Sequence, residues 1–295
     1  MADIAPPRRA SAILAAGIQL TCVPGDPDAN LAAIERLARA LKQDSPSLEL
    51  LAVPELGVTG YSAGGRFFEL AEPWPDGPGL RRLSALAADL DVVLVAGYAE
   101  VTAAADVIYD SAAVFERDGT PLISYRKTHC LDTELSYFAN GDALPTVATS
   151  VGRLGVMICW DAAFPEVART HALAGADLLV TIGAWEDPYV GDWELVVRAR
   201  AYDNVIPLIA VNRTGADGSA HFSGHSCVID CLGRPVAELG DEEDGLLVGS
   251  VDFAATRTTR AGYGSQLRDR RPELYAAVST PATTSASPPS SPERT

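Results

Sequence analysis

The chain has 295 residues, 47% of them hydrophobic, enough for one large domain or two small ones. A formal net charge of -16 and a pI of about 4.6 set it against nucleic acid and anionic membrane surfaces as partners. No apolar run reaches the length of a membrane span.

Residues 1–10 carry Pro6, Pro7, Arg8 and Arg9, and the apolar run behind them, Ile13–Leu20, is short. It predicts a first strand rather than the core of an export signal, and the expected location is the cytoplasm. An amphipathic helix follows over Asp28–Lys42, with Leu31, Ile34, Leu37, Ala38 and Leu41 on one face and Asp28 or Asn30 as its cap. Apolar β-rich runs at Leu48–Val53, Val92–Tyr98 and Ala112–Phe115 predict strands, with a helix over Leu80–Leu90. Asp118-Gly119 after Phe115 is hairpin-turn chemistry, and another β-rich run leads up to Lys127. Further strands are predicted at Leu154–Cys159, Leu178–Ile182, Pro207–Val211, Ser226–Ile229 and Leu246–Val251. Helices are predicted from Pro165 to about Ala174 and over Asp192–Asn204, and Gly233 marks a second hairpin between Ile229 and Pro235.

Helix-linked strands beside hairpins predict an α/β (α+β) fold with mixed sheets. Residues 10–275 contain neither a repeat nor a linker, so one domain is expected over residues 1–278. Residues 279–295 are Ser, Thr, Pro and Ala with almost nothing to bury, and read as a disordered tail.

Five cysteines do not make a disulfide framework, and Cys22, Cys130, Cys227 and Cys231 read as small packing residues. Cys159 ends an apolar strand, Leu154-Gly-Val-Met-Ile-Cys159, just before Phe164-Pro165-Glu166 opens a helix. A thiol at such a turn meets outward-pointing N–H groups that favour thiolate, although a cysteine ending a strand is by itself more often packing. Glu55 in Val53-Pro54-Glu55-Leu56-Gly57 directly follows a strand, where clefts form, although such a residue is by itself more often a solvated loop acid. Lys127 in Tyr125-Arg126-Lys127-Thr128-His129 also follows a strand, and can hold charge opposite an oxyanion or simply face solvent.

Together the three contexts resemble the nitrilase superfamily, the carbon–nitrogen hydrolases. Pro54-Glu55-Leu56 with Gly60-Tyr61, Tyr125–His129, and Gly155-Val-Met-Ile-Cys159-Trp160-Asp161 with Phe164-Pro165-Glu166 are similar to its glutamate, lysine and cysteine motifs, in the same order. Glu134 with Phe138 and Gly141, Arg198–Ala201 before Asn204, Val211-Asn212-Arg213 and Arg270–Tyr275 extend the resemblance from about Ala12 to Tyr275. It implies a four-layer α-β-β-α sandwich with two mixed sheets. It also implies Cys159 as nucleophile, Glu55 as general base, Lys127 as oxyanion partner and Glu134 as the glutamate that orients Lys127 or assists proton transfer. The Trp160 N–H is a candidate second oxyanion donor, while Tyr61 and Trp185 are candidates for contacting substrate. The chemistry needs no metal or cofactor, and association through outer helices into a homodimer or larger is expected.

Other readings stay open at this point. His129, His171, His221 and His225 offer a papain-like partner for a cysteine, and His221-Phe-Ser-Gly-His225-Ser-Cys227 has spacing that zinc could use. A silent binding protein on the same fold is a further alternative. For substrate, Asp161 after Trp160 points toward amidase and carbamoyl-hydrolase branches rather than nitrilases, and Ala162 stands where carbamoylputrescine-type enzymes commonly carry arginine. The expected substrate is a small aliphatic or amino-acid-derived amide, with N-carbamoyl compounds and nitriles as alternatives.

Overall fold

The computed structural model describes residues 11–102, 107–218, 220–241 and 244–280. The first half runs β1 (Ala12–Gln19), α1 (Pro27–Asp44), β2 (Leu48–Val53), α2 (Phe67–Leu70), β3 (Glu72–Pro73), α3 (Pro78–Leu90), β4 (Val93–Val101), β5 (Ile108–Phe115) and β6 (Pro121–Arg126). The second runs β7 (Thr146–Thr149), β8 (Gly152–Ile158), α4 (Pro165–Leu173), β9 (Leu178–Gly183), α5 (Val190–Asn204), β10 (Leu208–Asn212), β11 (Thr214–Asp217), β12 (Ala220–Ser223), β13 (Cys227–Ile229), β14 (Pro235–Glu238), β15 (Gly245–Asp252) and α6 (Phe253–Ala261).

Apart from the antiparallel pair β11-β12, the strands form two mixed sheets, as expected. One has the order β15-β1-β2-β4-β5-β6, with β3 also on β4, and the other β14-β13-β10-β9-β8-β7. Alternation along each strand builds the layers. Ile13 and Ala15 of β1, Leu50 and Ala52 of β2, and Val93 and Val95 of β4 share one core with Val156, Ile158, Val180 and Leu208 of the second sheet. Their neighbours Ala16, Leu51 and Leu94 turn the other way, onto Leu31 and Ile34 of α1 and Leu80 and Leu83 of α3. Val167 of α4 and Val197 of α5 cover the second sheet. The result is helix, sheet, sheet, helix. Gly17 marks how close the sheets come, since a Cβ there would lie 2.5 Å from a Val211 methyl.

Several boundaries differ from expectation. Helix α1 is capped by Asp26, whose side chain accepts from the Ala29 N–H, not by Asp28 or Asn30. Pro27 takes the first helical position, where its missing N–H costs nothing, so the cap moves one residue ahead of it. Asn30 is buried instead and bonds Val23 and Val58 backbone groups. Strand β5 begins at Ile108, four residues before the expected start, which places Asp110 inside a strand. Ala276–Ser279 forms a short 3₁₀ turn, and residues 281–295 of the expected tail lie outside the described residues. Among the described residues no helix is long and apolar enough to cross a membrane.

Candidate active site

Three strand ends converge on one buried cluster. Glu55 follows β2, Lys127 follows β6 and Cys159 follows β8, and they are 0%, 0% and 3% exposed. Burial to this degree removes the solvated-surface reading of Glu55 and Lys127. Two strained residues aim the side chains: Leu56, next to Glu55, has φ 47°, and Cys159 itself has φ 46°, both in the left-handed region that side chains avoid. The tight turn at Glu55 also needs Gly97 on the neighbouring β4. A Cβ there would sit 2.4 Å from Pro54 O and 2.7 Å from Glu55 Cα. Gly97→Ala is therefore expected to displace Glu55, costing about 1–3 kcal/mol of stability and lowering kcat/KM by more than that loss explains. Denaturation and steady-state kinetics on the variant check both parts.

Lys127 supplies the centre. Its Nζ donates to Glu55 Oε1 at 2.6 Å and to Glu134 Oε1 at 2.7 Å, and lies 3.5 Å from Asp110 Oδ2. Burial works against its charge, but Glu55 and Glu134 outweigh burial and hold the ammonium well above the usual lysine range. Glu134 is fixed by Tyr61 Oη at 2.7 Å on Oε1 and by the Leu131 N–H at 2.8 Å on Oε2. The Ala184 N–H, at the end of β9, donates to Glu55 Oε2 at 2.6 Å. The same amide favours the thiolate at Cys159, so thiol and carboxylate share a donor. Burial, then the Glu55 charge, push the Cys159 thiol well above its ordinary range, against the pull of Lys127.

The turn carrying Cys159 is pinned through Asp161. Its Oδ2 accepts from Tyr125 Oη at 2.7 Å and the Ile158 N–H at 3.1 Å, and its Oδ1 from Thr128 Oγ1 and His129 Nδ1. Arg200 braces the turn's far side through Ala162 O and Ala163 O. The segment after Lys127 and the segment after Cys159 are thus tied together by one carboxylate. Burial opposes the charge on Asp161, but His129, Tyr125 and the Ile158 N–H hold it below the usual carboxylate range.

A carbon–nitrogen hydrolase family model matches residues 14–261. The chain belongs to the carbon–nitrogen hydrolase family.

Its relatives within the nitrilase superfamily agree over nearly their whole lengths. A protein described as a probable nitrilase in Schizosaccharomyces pombe is 41% identical over 85% of this hydrolase and 93% of its own length. An N-carbamoylputrescine amidase of Solanum lycopersicum is 35% identical over 91% and 95%. Among solved structures, a carbon–nitrogen hydrolase of Helicobacter pylori superposes with a TM-score of 0.85 at 32% identity, covering 92% of this chain and 99% of that one. The amidase from Nesterenkonia sp., in a form with the acetamide moiety of fluoroacetamide added covalently at its active-site cysteine, gives 0.78 at 28% identity, covering 92% and 98%.

An aromatic wall stands beside the cluster of this hydrolase. Trp160 lies 5.5 Å from Trp185, which lies 5.8 Å from Trp193, while Phe164 stacks on His129 at 3.8 Å. Trp185 is held by Asn212, which accepts from its N–H at 2.7 Å and donates to its carbonyl. Tyr61, expected to contact substrate, has its hydroxyl on Glu134. A cleft of about 270 Å³ opens against Glu134 and Tyr61, lined also by Ser62, Phe67 and Tyr137.

The histidine readings dissolve. His129 bonds Asp161, His171 is buried and bonds Val156 O, His221 pairs with Asp187, and His225 sits between Glu194 and Asp241, so none is the partner of Cys159 and the His221–Cys227 string does not converge. All five cysteines are free. The sequence reading missed Asp110, the Ala184 N–H and Asn212 as a brace. Asp110 had a signal, a carboxylate inside the apolar run Ile108-Tyr-Asp110-Ser-Ala, whereas the Ala184 amide has none that a side-chain pattern could carry.

Proposed function

We propose that this hydrolase is a cysteine-dependent amidase that releases ammonia from a small aliphatic or amino-acid-derived amide through a thioester on Cys159. The observation that carries the reading is Lys127, fully buried and bonded by both Glu55 and Glu134 in the cluster that also holds the Cys159 thiol. Glu55 takes the thiol proton as sulfur attacks the amide carbon, which avoids building a free thiolate in a site that disfavours one. The oxyanion is met by the Lys127 ammonium, which has two of its three protons on carboxylates, and by the Trp160 N–H. Glu55 then passes its proton to the leaving nitrogen, and ammonia departs. Water enters, gives a proton to Glu55 and attacks the thioester, and collapse returns the thiol and a carboxylic acid. Glu134 and Tyr61 keep Lys127 in place throughout.

Three observations support a small uncharged amide. The cleft beside Glu134 is small, the wall is aromatic, and among the described residues no arginine is bonded to the cluster. The amidase likeness agrees. The tomato relative favours a second reading, hydrolysis of an N-carbamoyl amine, for which a substrate cation rather than a carboxylate suits a chain with so many acids. A panel of aliphatic amides, amino-acid amides, N-carbamoyl compounds and nitriles, read by ammonia release, is expected to give its highest kcat/KM on an amide. A preference of tenfold or more for a carbamoyl compound or a nitrile would replace the first reading.

The free cysteines suit a reducing compartment, and we place the protein in the cytoplasm. Leu195 and Tyr202, exposed on α5, support association of outer helices into a homodimer or larger.

A further inference from the structure

Of the three carboxyl groups around Lys127, two have a donor on each oxygen and one has none. Glu55 accepts from Lys127 and the Ala184 N–H, and Glu134 from Lys127, Tyr61 and the Leu131 N–H. Asp110 is equally buried, yet neither of its oxygens accepts a hydrogen bond. It stands across the β5–β6 ladder from Lys127, whose backbone N–H donates to Asp110 O at 2.8 Å, so the two side chains leave the same face. Lys127 Nζ is 3.5 Å from Oδ2, beyond a good hydrogen bond. Oxygens of Glu55, Asp110 and Glu134 lie within 4.8 Å of one another, and the Asp110 carboxyl is within hydrogen-bonding reach of Glu55. Three carboxylates about one ammonium would bury a net charge of two, with one carboxylate lacking any donor, an arrangement that low dielectric strongly disfavours.

We propose that Asp110 is a neutral carboxylic acid in the resting enzyme and donates its own O–H to Glu55, acting as a positioning residue for the base. One proton resolves both problems: it removes a buried charge and turns an unpartnered acceptor into a donor for Glu55. Burial and then the Glu55 charge push the Asp110 carboxyl well above the usual carboxylate range, with Lys127 opposing. The other groups facing it are Glu134 and Cys130 from the loop after β6, with Tyr61 behind Glu134.

The stability sign follows. The folded pKa of Asp110 is above the ordinary 3.8, so its contribution is fully present below that pH and is lost as pH rises toward the folded value. Asp110→Asn, neutral at every pH, escapes this loss. Its stability relative to wild type should therefore rise steadily as pH goes from acid to neutral. An ionised Asp110 paired to Lys127 would give the opposite trend.

Infrared spectroscopy of the resting enzyme at neutral pH is expected to show the C=O stretch of a protonated buried carboxyl. The band should move with isotope-labelled aspartate and vanish in Asp110→Asn. Asp110→Leu should lower kcat/KM roughly tenfold to a hundredfold, and Asp110→Asn, which keeps a neutral donor, should recover most of that loss with the acid limb of the pH profile unmoved. No protonated band, a band that survives Asp110→Asn, or an acid limb shifted by about a unit or more in that variant overturns the proposal. If neither variant folds, the wild-type band and its response to labelled aspartate decide alone. The activity arm rests on Glu55 being the base, but the infrared and stability arms do not. A wild type inactive on every amide would sink the proposed function and leave the protonation of Asp110 separately decided.

Discussion

Cys159→Ala is expected to fold normally and to lose at least about ten-thousandfold in kcat on the best amide. The thiol is 3% exposed and burial pushes it well above its ordinary range, so removing it deletes little volume and is expected to remove no structural charge. Alanine meets the same left-handed φ that cysteine does, so the strain of the turn is unchanged. What disappears is the atom proposed to attack, while Glu55 stays fixed by Lys127 and Ala184, and Lys127 by two carboxylates. Circular dichroism and single-turnover ammonia release test the two halves separately. A folded variant with more than a few per cent of wild-type activity would remove Cys159 from the reaction.

Lys127→Met is expected to fail differently, in stability as well as in rate. The methionine fills a similar volume but leaves Glu55 and Glu134 buried without their shared donor, and removing one partner of a buried charge pair costs about 3–5 kcal/mol. The loss depends on pH. In the variant the uncompensated carboxyls hold protons more tightly when folded than when unfolded, so stability falls as pH rises through the carboxylate range and partly returns on acidification. Activity should drop by about a hundredfold or more with the oxyanion partner gone. Denaturant unfolding across pH checks this. Unchanged stability at neutral pH would mean that Lys127 does not hold the cluster together.

The three central residues were legible in the sequence because each follows an apolar β-rich run, and a side chain at a strand end in a layered fold points to a cleft. Their convergence was not legible from periodicity, since it depends on β2, β6 and β8 lying in two sheets that face each other. The resemblance supplied it. Asp110 was lost because the apolar pattern resumes only at Ala112, and a carboxylate within a strand reads locally as a turn residue. Helix α6, Phe253–Ala261, was missed for a related reason: five of its nine residues are Thr or Arg, and its capping Asp252 also ends a strand. Asp26 was passed over as a cap because Pro27 stands between it and the apolar stripe. Backbone donors such as the Ala184 N–H come from chain path alone, and no residue type announces them.

Catalysis as proposed places a covalent acyl group on one cysteine among five. The most direct measurement is acid-quenched mass spectrometry of the protein during turnover of its best amide, followed by peptide mapping. A mass gain equal to the acyl group of the substrate is expected, confined to the peptide containing Cys159 and absent in Cys159→Ala. Acyl transfer to Cys130 or another cysteine, or full turnover with no acylated cysteine at any quench time, would contradict it.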